Sequence, residues 1–271
     1  MSRSKTNFTC TNYFHGKLLK SPNDDLINIH KCFYSTTNNQ NEICDQVFQD
    51  ALSQQNFQQC IGRLKHLDLT AFTNRLNRNA GPNRKNDYKQ KNASILVPFC
   101  HNEFNQPSLL FTVRSSNLVN HRGEVSFPGG MQEDVDNNCL IRTSVRETVE
   151  ELGISEERIT TYGCINAIPG RTSSYLVHPV LAYIDLKDAQ LNINPDEVES
   201  VFLVTLRSLC CENNWRKTNY KVGYTMPVYV DKFRNTPRIW GLTALAAHLV
   251  LSGLLPNQFK ISLSLFKPVK K

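Results

Sequence analysis

Residues Gly123 to Ile154 read GEVSFPGGMQEDVDNNCLIRTSVRETVEELGI, and the rest of the chain is understood outward from this stretch. Its densest part is Arg146-Glu147-Thr148-Val149-Glu150-Glu151-Leu152-Gly153-Ile154, with three glutamates within five residues. Side chains four apart on a helix share one face, so Glu147 and Glu151 project together with Glu150 beside them. Like charges at that spacing destabilise a bare helix, so the arrangement implies a cation. Ligands that are all oxygen suit Mg²⁺ or Mn²⁺, which take a few carboxylates and complete their shell with water and substrate phosphate. A solvated helix face is the plain alternative for a bare E-x-x-E-E cluster. Here Pro128-Gly129-Gly130 precedes it, Arg146 stands directly ahead of it and Gly153-Ile154 closes it, which makes a far more specific pattern. Gly129 and Gly130 lack a Cβ and let backbone or a ligand come close.

The stretch resembles the Nudix box, G-x5-E-x7-R-E-U-x-E-E-x-G-U with U a bulky aliphatic residue. Its second half, R-E-x-x-E-E-x-G-I, is intact from Arg146 to Ile154. Thr148 stands at a U position, and Asn138 stands where the first glutamate is expected. The interval from Gly130 to Arg146 is longer than the pattern's, and Asp136 falls at G-x5 counted from Gly130. Glu133, Asp134 or Asp136 is therefore the acidic stand-in. The flanks resemble the coenzyme A diphosphatase group, whose signature runs L-L-T-x-R-S-x3-R-x3-G-x3-F-P-G-G. It is matched by Leu110 to Ser115 and Gly123 to Gly130, with Val119 in place of the second arginine and Arg122 nearby. Asn194-Pro195-Asp196-Glu197-Val198, Val201 to Val204 and Ile239 to Ala244 are further matches, while Thr205 stands where the family commonly has proline. The likeness spans about residues 93 to 256.

That resemblance implies an α/β fold, the Nudix α/β/α sandwich with a mixed sheet, its box helix packed on the sheet and the box loop facing substrate. It implies metal-dependent hydrolysis of the diphosphate of coenzyme A and its derivatives, giving 3′,5′-ADP and 4′-(acyl)phosphopantetheine, with Mg²⁺ or Mn²⁺ as cofactor. Glu147, Glu150 and Glu151 are then the catalytic metal ligands, the Gly130 carbonyl joins them, and Arg146 orients the glutamates. Gly129 and Gly130 also face the substrate. Coenzyme A carries a phosphate away from its diphosphate, so cations apart from the metal are needed; Arg114 and Arg122 are the candidates, with Arg171 behind them. The general base is left among a box glutamate, an acidic residue at 133 to 136, and Glu197. Tyr175 is the aromatic to test for adenine contact, whereas Trp240 and Phe127 read as core. His121 is a candidate for phosphate contact and His178 reads as structural. The alternatives are a Nudix hydrolase of another nucleoside diphosphate derivative (ADP-ribose, a dinucleotide or capped RNA) and a catalytically weakened ligand-binding Nudix protein.

Composition is ordinary for a globular protein with a real core. The chain has 271 residues, 40% apolar and 20% charged, with a net charge of +7 that suits an anionic small-molecule substrate. No run of Lys and Arg interleaved with aromatics points to nucleic acid. Nine cysteines at irregular spacing, with no C-x-x-C, argue for a reducing compartment rather than a disulfide framework or zinc site. The most apolar stretch, Trp240 to Leu255, is broken by His248 and is too short to span a membrane. The first 23 residues carry Arg3, Lys5, Lys17 and Lys20 and no acid before Asp24, which favours a mitochondrial over a peroxisomal or cytoplasmic location. Oligomeric state stays open, a homodimer included.

Along the chain, residues 1–55 read as a polar extension, 56–92 as a short helix and linker, 93–256 as the hydrolase domain and 257–271 as a tail. Apolar residues from Phe57 to Leu76 recur at helical spacing. Strands are expected at Ser94–Phe99, Ser108–Arg114, Gly123–Phe127, Ile159–Ile168, Leu176–Ile184, Glu197–Thr205 and Met226–Val230. Helices are expected at Asp136–Leu152, stopped by Gly153, and at Ile239–Leu254.

Overall fold

The computed structural model describes residues 19–20, 26–27, 46–65, 91–170, 175–219, 225–232, 234 and 236–263. Its centre is a sheet of eight strands: β3 (Lys91–His101), β4 (Pro107–Arg114), β5 (Val125–Ser126), β6 (Gly129–Met131), β7 (Ile159–Cys164), β8 (Ile168–Pro169), β9 (Tyr175–Ile184) and β10 (Val198–Thr205). The long strands lie in the order β10-β4-β3-β9-β7, with β5 on β4, β6 on β3 and β8 on β9. β3 and β9 run parallel and the other pairs antiparallel, so the sheet is mixed. A strand pair β1 (Leu19–Lys20) and β2 (Leu26–Ile27) and a ribbon of β11 (Trp215–Asn219) and β12 (Thr225–Tyr229) stand apart from it.

Alternation along the strands builds two cores. Val97, Phe99, Leu109, Phe111, Leu181, Phe202 and Val204 point to one face; Leu96, Cys100, Leu110, Val180, Ala182, Val201 and Leu203 point to the other. Strands buried on both faces need cover on both, and helices supply it. The box helix α2 (Leu140–Leu152) covers the second face with Val145 and Leu152. Helices α1 (Gln54–Leu64) and α4 (Gly241–Leu254) cover the first. The result is the expected α/β/α sandwich.

α1 shows the i, i+3, i+4, i+7 pattern with Phe57, Cys60, Ile61 and Leu64 buried, and Ser53 caps it by accepting from the Asn56 N–H at 3.4 Å. It packs so closely on α4 that a Cβ on Gly253 would lie 2.8 Å from Leu64 Cγ and 3.0 Å from Cys60 Sγ. It also satisfies the carbonyls at the end of α4: Arg63 donates to Gly253 O at 2.7 Å and Asn56 to Leu254 O at 3.1 Å. The core therefore extends beyond residues 93 to 256. Phe48 and Ala51, expected in the polar extension, and Phe259, expected in the tail, are all buried in it.

Several boundaries differ from the sequence reading. The box helix begins at Leu140 rather than Asp136, because Asn137 and Asn138 both take left-handed φ (51° and 57°) after a short 3₁₀ turn, Asp134–Asp136. The segment expected as one strand from Gly123 to Phe127 is β5, and Gly129–Met131 forms a second strand on β3. Strand β11 was not anticipated, since Trp215-Arg216-Lys217-Thr218-Asn219 shows one large apolar residue among polar ones. Helix α1 ends at Leu64, and the rest of the expected helix to Leu76 lies outside the described residues, as does Arg171. A further short helix, α3 (Leu206–Leu209), follows β10. Among the described residues, no helix is long and apolar enough to cross a membrane.

Candidate active site

The box helix is held at both ends, and each end delivers a carboxylate. At its C-terminus Gly153 takes φ 60°, and a Cβ there would collide with the Asn192 carbonyl, so the position requires glycine. With that carbonyl seated, Asn192 N–H donates to Leu152 O at 3.0 Å and Asn194 N–H to Glu151 O at 2.9 Å. The loop thus caps the helix. Asn194 then accepts from the N–H of Glu197 and of Val198 and donates its amide to Glu197 Oε1 at 3.2 Å. Ser115 N–H donates to the Glu197 carbonyl at 2.9 Å, tying the loop to the end of β4.

The consequence is a trio that sequence spacing could not show. Carboxylate oxygens of Glu147, Glu151 and Glu197 lie within 4.8 Å of one another. Glu150, expected as a further ligand, is half exposed and turned to Arg146 Nη1 at 2.9 Å, so Glu197 rather than Glu150 completes the cluster. Burial pushes the Glu151 carboxyl up to about 8; the Gly129 N–H bonded to it and the Arg114 charge oppose that rise, and Glu147 and Glu197 add to it. Burial likewise raises Glu147, against the pull of Arg146. Glu151 Oε2 is buried with no hydrogen-bond partner.

At the other end of the helix, Asp136 is the one of the three acidic candidates whose carboxylate meets Arg146. It is buried, and Oδ1 accepts from Arg146 Nε at 2.9 Å, while Oδ2 accepts from Arg146 Nη2 at 3.2 Å, Thr143 Oγ1 at 2.9 Å and the Glu133 N–H at 2.9 Å. Arg146 holds its carboxyl down at about 2, and these partners raise the Arg146 guanidinium in return. Arg146 also pairs with Glu147 Oε1 at 3.0 Å and donates to Met131 O at 3.3 Å. One guanidinium therefore joins the box loop to two of its glutamates. Glu133 and Asp134 are exposed, and Glu133 joins this pairing only through its backbone N–H to the Asp136 carboxylate.

Gly129 and Gly130 bring the box loop against the cluster. β6 pairs Gly130 with Ser94 and Gly129 with Ile95, leaving Gly130 under the Glu147 carboxylate, where a Cβ would strike it. Both glycines line a cavity of about 530 Å³, together with Arg114, His121, Met131, Tyr175, Met226 and Trp240. Arg114 is partly buried, its Nε without a hydrogen-bond partner, beside Glu151. Arg122 is exposed and not on the cavity wall. His121 is on the wall and pairs with Glu124 at 2.8 Å. Phe127 is core, stacked on Phe111 at 4.8 Å, although it reaches the cavity. Trp240, expected as core, is only partly buried and faces the cavity, because it precedes α4 in extended backbone rather than lying within the helix.

The trio fits a divalent ion of small radius. An ion with bonds of ~2.1 Å sets opposed oxygens roughly 4.2 Å apart, close to the span of these carboxylates, and the partnerless Glu151 oxygen is a free ligand atom. Comparison with known proteins agrees with the chemistry of the box. The chain is 39% identical over 178 residues to mitochondrial coenzyme A diphosphatase NUDT8 of Mus musculus, covering 64% of this chain and 82% of that protein. It is 30% identical over 182 residues to Nudix hydrolase 3 of Caenorhabditis elegans (62% and 75%). It is 32% identical over 168 residues to peroxisomal coenzyme A diphosphatase ndx-8 of the same organism (61% and 70%). No family model matches the chain. With its box intact from Arg146 to Ile154 and relatives at this identity over most of their length, the chain is a hydrolase of the Nudix family.

Proposed function

We propose that this enzyme hydrolyses the diphosphate of coenzyme A and its derivatives, releasing 3′,5′-ADP and 4′-phosphopantetheine or its acyl form. The observation that carries the reading is the cluster of Glu147, Glu151 and Glu197, with Glu151 in the field of Arg114, which with Gly130 lines a cavity large enough for a nucleotide. The flanking signature from Leu110 to Gly130 and the names of the mouse and nematode relatives support the substrate.

Glu147, Glu151 and Glu197 would hold Mg²⁺ or Mn²⁺, which when bound neutralises charge on the diphosphate and acidifies water. Gly130, bare of Cβ, leaves the Glu147 carboxylate its position. Arg146 fixes the direction of Glu147 and anchors the loop through Asp136. Arg114 lies where a diphosphate oxygen next to Glu151 meets a guanidinium. Water attacks one phosphorus, the bridging P–O bond breaks toward the other phosphate, and the proton given up by water passes to a carboxylate of the trio. A mitochondrial location belongs to the same proposal, on the name of the mouse relative and the basic, acid-free first 23 residues.

The test is a panel of coenzyme A, ADP-ribose and a dinucleoside polyphosphate with Mg²⁺, the products separated by chromatography. The reading expects coenzyme A to be turned over best, with 3′,5′-ADP as product. Preferred turnover of ADP-ribose or the dinucleotide overturns it, and binding without turnover of any of them returns the weakened-binder alternative.

A further inference from the structure

Coenzyme A needs a cation for the phosphate on its ribose, and neither Arg114 nor Arg122 is placed for it; Arg171 lies outside the described residues. Arg114 lies beside Glu151, where the proposed function puts the diphosphate. Arg122 is exposed and off the cavity wall. Arg238 is likewise off the cavity wall, but unlike Arg122 it is anchored on a residue that lines it. Arg238 is exposed, and its guanidinium sits over one face of the Trp240 ring, 5.4 Å from the centroid. Trp240 itself lines the cavity that Gly129, Gly130 and Arg114 also line. Its backbone is extended (φ −149°, ψ 179°), which places it ahead of the helix rather than within it. Gly241, the next residue, has φ 64° and open space where a Cβ would be, which leaves the backbone at the start of α4 accessible from the cavity.

We propose that the Trp240 side of the cavity is the nucleotide subsite. The adenine ring stacks on Trp240, and Arg238, whose guanidinium lies 5.4 Å from that indole's centroid, pairs with the phosphate on the ribose. This rests on the coenzyme A reading. Arg238 acts twice in it: its charge over the indole holds the ring in place, and its donors match a phosphate better than a point charge does. Tyr175, whose ring packs over the bare Cα of Gly170, lines the same cavity and bounds the subsite. Trp240 and Arg238 thereby determine specificity; neither touches the reacting phosphorus.

Equilibrium binding of 3′,5′-ADP and of 5′-AMP, which lacks the second phosphate, tests the assignment without relying on turnover. The unaltered protein is expected to prefer 3′,5′-ADP by about tenfold or more, as charge-assisted pairing to a phosphate gives. R238A should lose that preference by weakening 3′,5′-ADP, with 5′-AMP changed by about twofold at most. W240L should weaken both ligands about tenfold, with W240F recovering most of the loss, as expected for base stacking. An R238A protein with the unaltered preference, an unaltered protein with no preference, or a folded W240L protein that binds both ligands normally each overturns the proposal. Should W240L fail to fold, the surface variant R238A still decides. Coenzyme A turnover by the unaltered enzyme separates the two levels. If it is present while R238A keeps the preference, only the subsite falls; if it is absent, the substrate reading falls.

Discussion

Glu151 carries a buried carboxylate oxygen to which the folded chain offers no donor, next to two further carboxylates. Such an atom destabilises unless something outside the chain satisfies it. Glu151→Gln keeps the size and replaces a buried carboxyl that burial holds at about 8, so the fold should survive. What should vanish is the rise in melting temperature that Mg²⁺ gives the unaltered protein, about 1–3 kcal/mol of stabilisation at 10 to 100 times its Kd. Thermal melts with and without Mg²⁺ check this, and a variant that keeps the full rise contradicts it. Asp136 has the opposite situation, every oxygen engaged. Asp136→Asn should lower stability by about 1–3 kcal/mol, the range for buried charge-assisted hydrogen bonds. It should also lower kcat by loosening Arg146; urea melts and initial rates measure the two effects. The acid in question was legible only as one of three, because the inserted loop hid its register, and folding selects the one that reaches Arg146. The pairing of Glu147 with Glu151 was legible from their spacing of four. Glu197 was legible only as one of several candidate bases; its place beside Glu147 and Glu151 was not, since no local pattern records that residues 192 to 197 cap the box helix.

At the scale of elements, the box helix is positioned by its own last residue. Gly153→Ala puts a side chain at φ 60° and into the Asn192 carbonyl. Stability should fall by about 1–3 kcal/mol. Because the displaced loop carries Glu197, activity should fall more than stability at temperatures where the variant is folded. Circular dichroism beside rates would show it, and a variant of normal activity would mean Glu197 is not delivered by this cap. On the opposite face, Gly253→Ala should force α1 off α4, and combining it with Leu64→Ala should return part of the loss in a double-mutant cycle. The strands were readable because Leu109, Phe111 and Leu110 alternate between two cores. Helix α1 was readable from Phe57 to Leu64. Its membership of the hydrolase core was not, because a long polar run separates it from β3 and the packing against α4 is entirely long-range. Strand β11 escaped for a similar reason: its pairing with β12, not its composition, makes it a strand.

At the scale of the whole molecule, acid should loosen the face of the sandwich that lies away from the box helix. His248 is buried among Trp215 and Phe259, with Nε2 donating to Ile261 O at 2.8 Å, and burial holds it down at about 4. The unfolded chain takes up that proton near pH 6.5, whereas the folded chain refuses it until about 4. Stability is therefore complete above about pH 6.5 and falls as pH drops through that window, by on the order of 3 kcal/mol. Urea melts at pH 7 and pH 5 should show the loss, and His248→Phe should flatten it, whatever it does to stability at neutral pH. The opposite layer holds the box helix, so the two faces divide the labour: α1 and α4 close the core, and α2 carries the carboxylates. The central claim is that these carboxylates perform the hydrolysis. It is met most directly by measuring Mg²⁺-dependent turnover of coenzyme A by the unaltered protein and by Glu151→Gln under identical conditions. A loss of the several kcal/mol that a metal supplies to the transition state predicts a fall of about a hundredfold or more, with both proteins folded. A Glu151→Gln enzyme within about twofold of the unaltered rate would contradict the account.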